Sequence, residues 1–283
     1  MDENDYADIN NLKDICIEYD NTFLKLEIDY KLSRADKNSD NLNKINEFMF
    51  YDGNNLIGYA GVGCFGGDAL EVNGMVHPDY RRRGIFTRLF TLIKDEFLRR
   101  SSKEMLLLSD NNSLGGIGFI KKTCSEYEHS EYDMNLDMAA EHKLNFDDII
   151  FRKVKYEEMN IIDKDDFEFF SEYDLEVISE DENDGCNSFS GTYVMEKDNT
   201  IIVKVRLEVI DGIGGVYGLE VLPDFRGYGY GRELLIFSIK KLKEVNVKTI
   251  TLQVVTENKN ALNLYKSCGF KENYTMNYYK VKK

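Results

Sequence analysis

The sequence predicts an α+β protein in which one plan is written twice: helices packed on a mixed, mainly antiparallel sheet, an α/β/α sandwich. Three observations predict it. The only two prolines, Pro78 and Pro223, fall at the same place in one pattern, "VHPDYRRRGIF" (76–86) and "VLPDFRGYGYG" (221–231). Val76, Asp79, Tyr80, Arg81 and Gly84 match Val221, Asp224, Phe225, Arg226 and Gly229 at a constant offset of 145 residues. Around both copies the periodicity reads β-hairpin, strand, glycine loop, helix, strand, helix, strand. The 283 residues exceed the ~100–200 usual for one domain, so the reading sets two, 1–140 and 141–283. The polar stretch "AAEHKLNFDD" (139–148) lies between them.

Taken in order, "NNLKDICIEYDNTFLKLEIDY" (10–30) reads as helix rather than as an opening strand. Apolar runs broken by Asp-Gly-Asn-Asn (52–55) and Lys-Asp-Asn (197–199) read as hairpins. The stretches after the loops, 86–100 and 231–245, carry apolar residues at spacings of three and four, as in Leu235, Ser238, Ile239 and Leu242. That is the period of a helix with one buried face. "EMLLLSD" (104–110) and "TITLQVV" (249–255) are short enough and apolar enough for core strands.

Composition excludes several classes. The formal net charge of −15 disfavours nucleic acid, which is bound through basic surface, and favours a cationic small-molecule or peptide substrate. No apolar run reaches the ~18 residues of a membrane span, and the acidic start "MDENDYADIN" is unlike a secretory leader. The five cysteines (16, 64, 124, 186, 268) form no CxxC pair. They suggest neither a disulfide framework nor a zinc site, and fit a reducing cytoplasm. His77, His129 and His142 have no metal-ligand spacing, so no metal is expected. The acidic segment "SEYDLEVISEDENDG" (171–185) reads as a solvated loop that would also attract an amine.

The loop "RGYGYG" (226–231) carries the chemistry. Glycines let backbone approach a ligand closely, amides opening a helix hold anions, and arginine offers a fork of donors. A phosphate or pyrophosphate is the simplest demand. The spacing matches neither GxxxxGK[ST] nor GxGxxG, so nucleoside triphosphate and dinucleotide fingerprints both fail.

Pro-x-Phe-Arg-x-x-Gly-x-Gly between strand and helix resembles the acetyl-CoA loop of the GNAT superfamily of N-acetyltransferases. "NKNALNLYKSCGF" (258–270) resembles that family's downstream signature at Asn258, Ala261, Leu264, Tyr265, Gly269 and Phe270. The resemblance implies that acetyl-CoA is the cofactor and that the second half transfers its acetyl group directly to a primary amine. It implies that Leu219, Glu220 and Val221 lie on a splayed strand. A backbone N–H near Val221 would serve the thioester carbonyl and the later oxyanion. Arg226, Gly227, Tyr228, Gly229, Tyr230, Gly231 and Arg232 would wrap the pyrophosphate. Asn258 would touch the pantetheine arm, and Tyr265 would protonate the leaving thiolate as general acid.

The resemblance identifies no general base. The two positions at which family members place a glutamate hold Gln253 and Gly215, leaving Glu220 or Glu257 to act through water. The first half departs further: Phe86 stands for Gly231, Phe119 for Tyr265 and Thr123-Cys124 for Gly269-Phe270, with Gly115, Gly116 and Gly118 in its last helix. It has therefore lost at least the acid step. The alternative for the whole chain is a non-catalytic acyl-CoA-binding sensor or scaffold. Two fused halves would form an intramolecular pseudo-dimer, so a monomer is expected.

Overall fold

The computed structural model describes residues 2–33, 44–63, 69–100, 102–123, 125–144, 149–154 and 189–282. The acidic segment 171–185, residues 145–148 of the inter-half stretch, and Cys64, Cys124 and Cys186 lie outside them. The chain forms two compact units, Met1–Ser130 with Tyr274–Lys283, and Glu131–Asn273.

Unit 1 begins with α1 (Glu3–Asp20), whose N-terminus is closed by a capping box between Asp2 and Asp5. The helix expected over 10–30 does not run through. Asn21, at φ 49°, caps α1 in the left-handed region that asparagine tolerates, and α2 (Ile28–Ser33) starts afresh. Strands β1 (Glu47–Asp52), β2 (Asn55–Gly63) and β3 (Ala69–Val76) pair antiparallel in succession. Helix α3 (Ile85–Arg99) crosses to β4 (Glu104–Asp110), parallel to β3. Helix α4 (Leu114–Ile120) follows and leads into β5 (Glu126–Leu136).

Both faces of this sheet are covered. Ile9, Leu12 and Cys16 of α1 pack with Leu56, Tyr59 and Met75; Ile85, Leu89 and Ile93 of α3 pack with Ile57, Ala60 and Val72. Double cover explains why β2 is a nearly unbroken apolar run. β4 also pairs antiparallel with the end of the last strand, β11 (Phe270–Lys280), from Met276↔Asp110 to Lys280↔Leu106.

Unit 2 repeats the order. Strands β6 (Ile150–Lys153), β7 (Phe189–Lys197), β8 (Thr200–Ile210) and β9 (Ile213–Val221) pair antiparallel in succession. The β7–β8 turn places Asp198 at φ 49° and Asn199 at φ 61°, the left-handed pair that suits strand twist in a two-residue hairpin. Helix α5 (Tyr230–Glu244) crosses to β10 (Thr249–Val255), parallel to β9. Helix α6 (Lys259–Ser267) precedes β11. β10 also pairs antiparallel with residues 131–135 of β5. Leu234, Leu235, Ile239 and Leu242 of α5 are buried with Val203, Val205, Leu207, Ile250 and Leu252 in one core.

Candidate functional site

The site of unit 2 begins with a break in two ladders. The β9–β10 register runs from Ile213↔Thr249 to Val216↔Leu252, and both strands continue beyond it. On the other side, Lys204↔Glu220 and Tyr217↔Arg206 are partners, so Gly218 and Leu219 stand together against Val205. This is a β-bulge, and Gly218 takes φ 55°, which a glycine adopts without steric cost. Over Leu219, Glu220 and Val221 the end of β9 thus parts from β10, while Glu220 and Val221 stay paired with Lys204 and Val203 of β8. Unit 1 has the parallel-ladder break, from Val72↔Leu107 onward, but its β2–β3 register is regular from Gly58↔Val76 to Gly63↔Glu71.

A single turn, Pro223–Phe225, then carries the chain into the glycine loop. Gly227 and Gly229 take φ 85° and 90°, and α5 starts at Tyr230. The first amides of a helix have no intrahelical acceptor and sit at its positive end, a geometry able to receive an anion. The loop of unit 1 keeps this frame. Arg82 (φ 65°) and Gly84 (φ 78°) take the left-handed positions, and α3 starts at Ile85.

The loop side chains divide by role. Arg226 Nε donates to the Val221 carbonyl at 2.9 Å, and Arg81 Nε donates to the Val76 carbonyl at 2.9 Å, so each arginine staples its loop to the strand before it. Tyr228 is exposed. Tyr230 is buried in the core, and its hydroxyl accepts from Lys197 Nζ at 2.8 Å; what it offers the loop is backbone. A Cβ on Gly231 would lie 3.1 Å from Val221 Cγ2 and 3.7 Å from Leu264 Cδ2. Glycine there lets the start of α5, the end of β9 and α6 meet. Arg232 follows on the first turn of α5, close enough to Cys268 for its charge to oppose the burial that pushes that thiol up.

Tyr265 projects from α6 into the same core, 8% exposed, its ring 6.2 Å from Phe270. Burial pushes its hydroxyl up to about 12, so it stays protonated through neutral pH. Asn258 is the N-cap of α6: its side-chain oxygen accepts from Ala261 N at 3.1 Å. The Glu220 carboxylate lies 3.4 Å from the ammonium of Lys204, whose side chain is 4% exposed. Lys204 was not legible as a site residue; only its place in an apolar strand, "IIVKVRL", hinted at it.

The corresponding positions of unit 1 are filled. Phe86 and Phe119 meet edge-to-face at 4.8 Å, and a Cβ on Gly74 would lie 2.8 Å from Phe86 Cε2. Unit 2 has Gly231 and Tyr265 at those two positions.

The model of the acetyltransferase (GNAT) family matches residues 12–124 and again 156–270, most of the chain. The chain belongs to the acetyltransferase (GNAT) family. Its two units are two repeats of the GNAT fold, with the glycine loops at equivalent places. A GCN5-related N-acetyltransferase from Sphaerobacter thermophilus has a similar fold, with a TM-score of 0.75 at 17% identity over 98% of this chain and 92% of that one. A tandem GNAT protein from the clavulanic acid biosynthesis pathway has a TM-score of 0.66 at 12% identity, over 99% and 96%.

Among curated proteins, an N-alpha-acetyltransferase of Sulfurisphaera tokodaii is 42% identical over 67 residues, 23% of this chain and 40% of that protein. A mycothiol acetyltransferase of Streptomyces avermitilis is 33% identical over 85 residues, 29% and 27%. The chain thus matches well under half the length of these curated relatives. No described helix is long and apolar enough to cross a membrane.

Proposed function

We propose that unit 2 is an acetyl-CoA-dependent N-acetyltransferase acting on a primary amine of a small molecule or peptide. The observation that carries this reading is the glycine loop of unit 2, with Gly227 and Gly229 left-handed at the start of α5 and Gly231 at the place that Phe86 holds in unit 1. Bound acetyl-CoA supplies an activated thioester. The amides of Gly227 to Gly231, at the positive end of α5, hold its pyrophosphate, with Arg226 and Arg232 adding charge at either end of the loop. Leu219 and Val221 present the backbone of β9 to the acyl arm. An N–H near Val221 stabilises negative charge as it develops on the acyl oxygen. Asn258, beside the arm, fixes the start of α6 and so the height of Tyr265. The Tyr265 hydroxyl gives its proton to the departing sulfur, a task its protonated state suits. Glu220 takes the amine proton through water, with Lys204 fixing its position.

The acidic chain favours a cationic amine. We read the protein as a cytoplasmic monomer whose second repeat substitutes for a dimer partner. A second reading, acyl-CoA binding without chemistry, draws on the depth of Tyr265 in the core and on the commitment of Glu220 to Lys204.

Calorimetric titration of acetyl-CoA into wild type, Gly229→Glu and Gly84→Glu tests the binding half. Both glycines have left-handed φ, so the two variants carry similar backbone strain and control for each other. One equivalent bound by wild type and by Gly84→Glu, and none by Gly229→Glu, supports the assignment. Loss in Gly84→Glu alone moves the site to unit 1, and no binding by wild type removes the enzyme reading.

A further inference from the structure

The sheet of unit 2 has a polar face. Val205 and Leu207 of β8, Val216 of β9, Leu252 of β10, and Met134 and Leu136 of β5 share one core with α5 and α6. Successive strand residues point to opposite faces, so Arg206, Tyr217, Thr251, Gln253, Asp133 and Asn135 look the other way. The register orders them across the strands: Arg206 pairs with Tyr217, Gln253 with Asp133 and Thr251 with Asn135. The last β9–β10 pair is Val216↔Leu252, so Tyr217 and Gln253 stand at the two lips of the split between those strands.

Charge on this face is one-sided. Lys204 and Arg206 lie on β8. The Lys204 ammonium is 3.4 Å from Glu220, and the Arg206 guanidinium is 4.9 Å from the centre of the Tyr217 ring. That ring lies back over Gly215, where a Cβ would meet its Cε2 at 2.3 Å and its hydroxyl at 2.4 Å. Across the split, β5 offers acceptors. Asp133 is 8% exposed, and the Asn273 amide lies 3.5 Å from its Oδ1. Two residues on, the Oδ1 of Asn135 is buried with no hydrogen-bond partner among the described residues. Native proteins leave few buried polar atoms unpaired.

The Asn135 oxygen lacks a donor, and the carboxylate beside it favours a positive one. Alternate residues of a strand are ~7 Å apart, and an ammonium carries three donors, so one such group can serve both. A hydroxyl would satisfy the amide oxygen alone, and an anion would be repelled by Asp133. β5 lies one strand beyond β10, so this spot is roughly 5–10 Å from the split, the reach of a short alkyl chain. We propose that unit 2 takes an acceptor with two cationic ends, of the α,ω-diamine class: one amine reacts at the split while the other, still an ammonium, is held by Asp133 and by Asn135 Oδ1. The inference rests on the N-acetyltransferase reading of unit 2 and names its substrate class. The reacting nitrogen forms the amide bond as the C–S bond breaks. Its proton passes through water to Glu220, the sulfur takes one from Tyr265, and the held ammonium keeps its own.

The test uses the full chain with diaminobutane, diaminopentane and diaminohexane. The monoamines of equal length are one-ended controls, and the matching ω-amino acids reverse the charge at the far end. Calorimetry in the presence of CoA reads binding without turnover, and release of free thiol from acetyl-CoA reads turnover. At least one diamine should bind ten-fold or more tightly than both of its controls. Asp133→Asn should reduce that preference by about ten-fold, with native circular dichroism. Should Asp133→Asn fail to fold, Asn135→Val carries the test, because it removes an unpaired acceptor and suits a strand. Diamines bound no better than monoamines, or a preference that persists in the folded variants, would overturn the proposal. Acetyl transfer to monoamines and diamines alike would overturn it while leaving the enzyme reading intact. Selective diamine binding without acetyl transfer to any amine would overturn the enzyme reading and uphold the ammonium site.

Discussion

Phe86 and Phe119 meet edge-to-face at 4.8 Å in unit 1, at the two positions that unit 2 fills with Gly231 and Tyr265. One repeat has an aromatic contact where its copy has a bare backbone and a hydroxyl. Around that pair the loop frame is the same in both repeats: left-handed at 82 and 84, and at 227 and 229.

Gly231→Phe should therefore transplant the plug. The site is not left-handed, so the backbone accepts the change, but the ring must displace Val221 and Leu264 or fill the loop mouth. We expect acetyl-CoA affinity to fall at least a hundred-fold, read by calorimetry, while circular dichroism stays native. Unchanged affinity would mean that the cofactor does not pass this point.

Tyr265→Phe separates binding from chemistry. General acid catalysis contributes typically ~10²–10⁴-fold, so kcat should drop by at least about a hundred-fold at unchanged acetyl-CoA affinity. A loss of less than three-fold, measured with any amine that wild type acetylates, would make Tyr265 a core residue only.

The same hydroxyl predicts an alkaline transition. Burial raises Tyr265 from 10.0 to about 12, so the folded state favours the protonated form. That contribution is complete below pH 10 and is lost as pH rises from 10 through 12. Two pKa units correspond to about 3 kcal/mol. Melting midpoints recorded between pH 9 and 12 should fall less steeply in Tyr265→Phe than in wild type. Parallel curves would show that the hydroxyl titrates normally.

Helix α4 offers a stability test. A Cβ at Gly115 or Gly118 meets no atom within 4 Å, whereas one at Gly116 would lie 2.4 Å from Ser109 Oγ. Alanine at 115 or 118 should each stabilise by up to ~1 kcal/mol through helix propensity. Gly116→Ala should destabilise. Denaturant midpoints compare the three; a rise for Gly116→Ala as large as for the others would mean that Ser109 moves aside freely.

Arg81 joins three elements. Besides its bond to Val76, its guanidinium donates to both Asp20 carboxylate oxygens at 2.7 Å, tying the end of α1 to the loop. A lysine cannot reproduce the two-pronged contact. A double-mutant cycle of Arg81→Lys with Asp20→Asn should give a coupling of about 1 kcal/mol, modest because both side chains are more than a quarter exposed. Zero coupling would leave only the Val76 staple.

Much of this was legible in the chain. The paired prolines, the two hairpins, both crossover helices and the strands 104–110 and 249–255 follow from local periodicity and turn chemistry, which neighbouring residues determine among themselves. The break at Asn21 was missed because a left-handed asparagine cap interrupts a helix without disturbing its apolar period. The bulge at Gly218–Leu219 was missed for a related reason: one extra residue in a ladder is visible only against its partner strand.

The sequence by itself determined the repeat, the fold class, the glycine loop and which half had lost its hydroxyl, since each is carried by residue types at fixed spacing. Tertiary structure decided the rest. It alone put Lys204 beside Glu220, Phe86 over Gly74, and Asp133 opposite Gln253. Those relations join residues that are distant in the chain. Their energies depend on separation and burial, which no local pattern of residue types records.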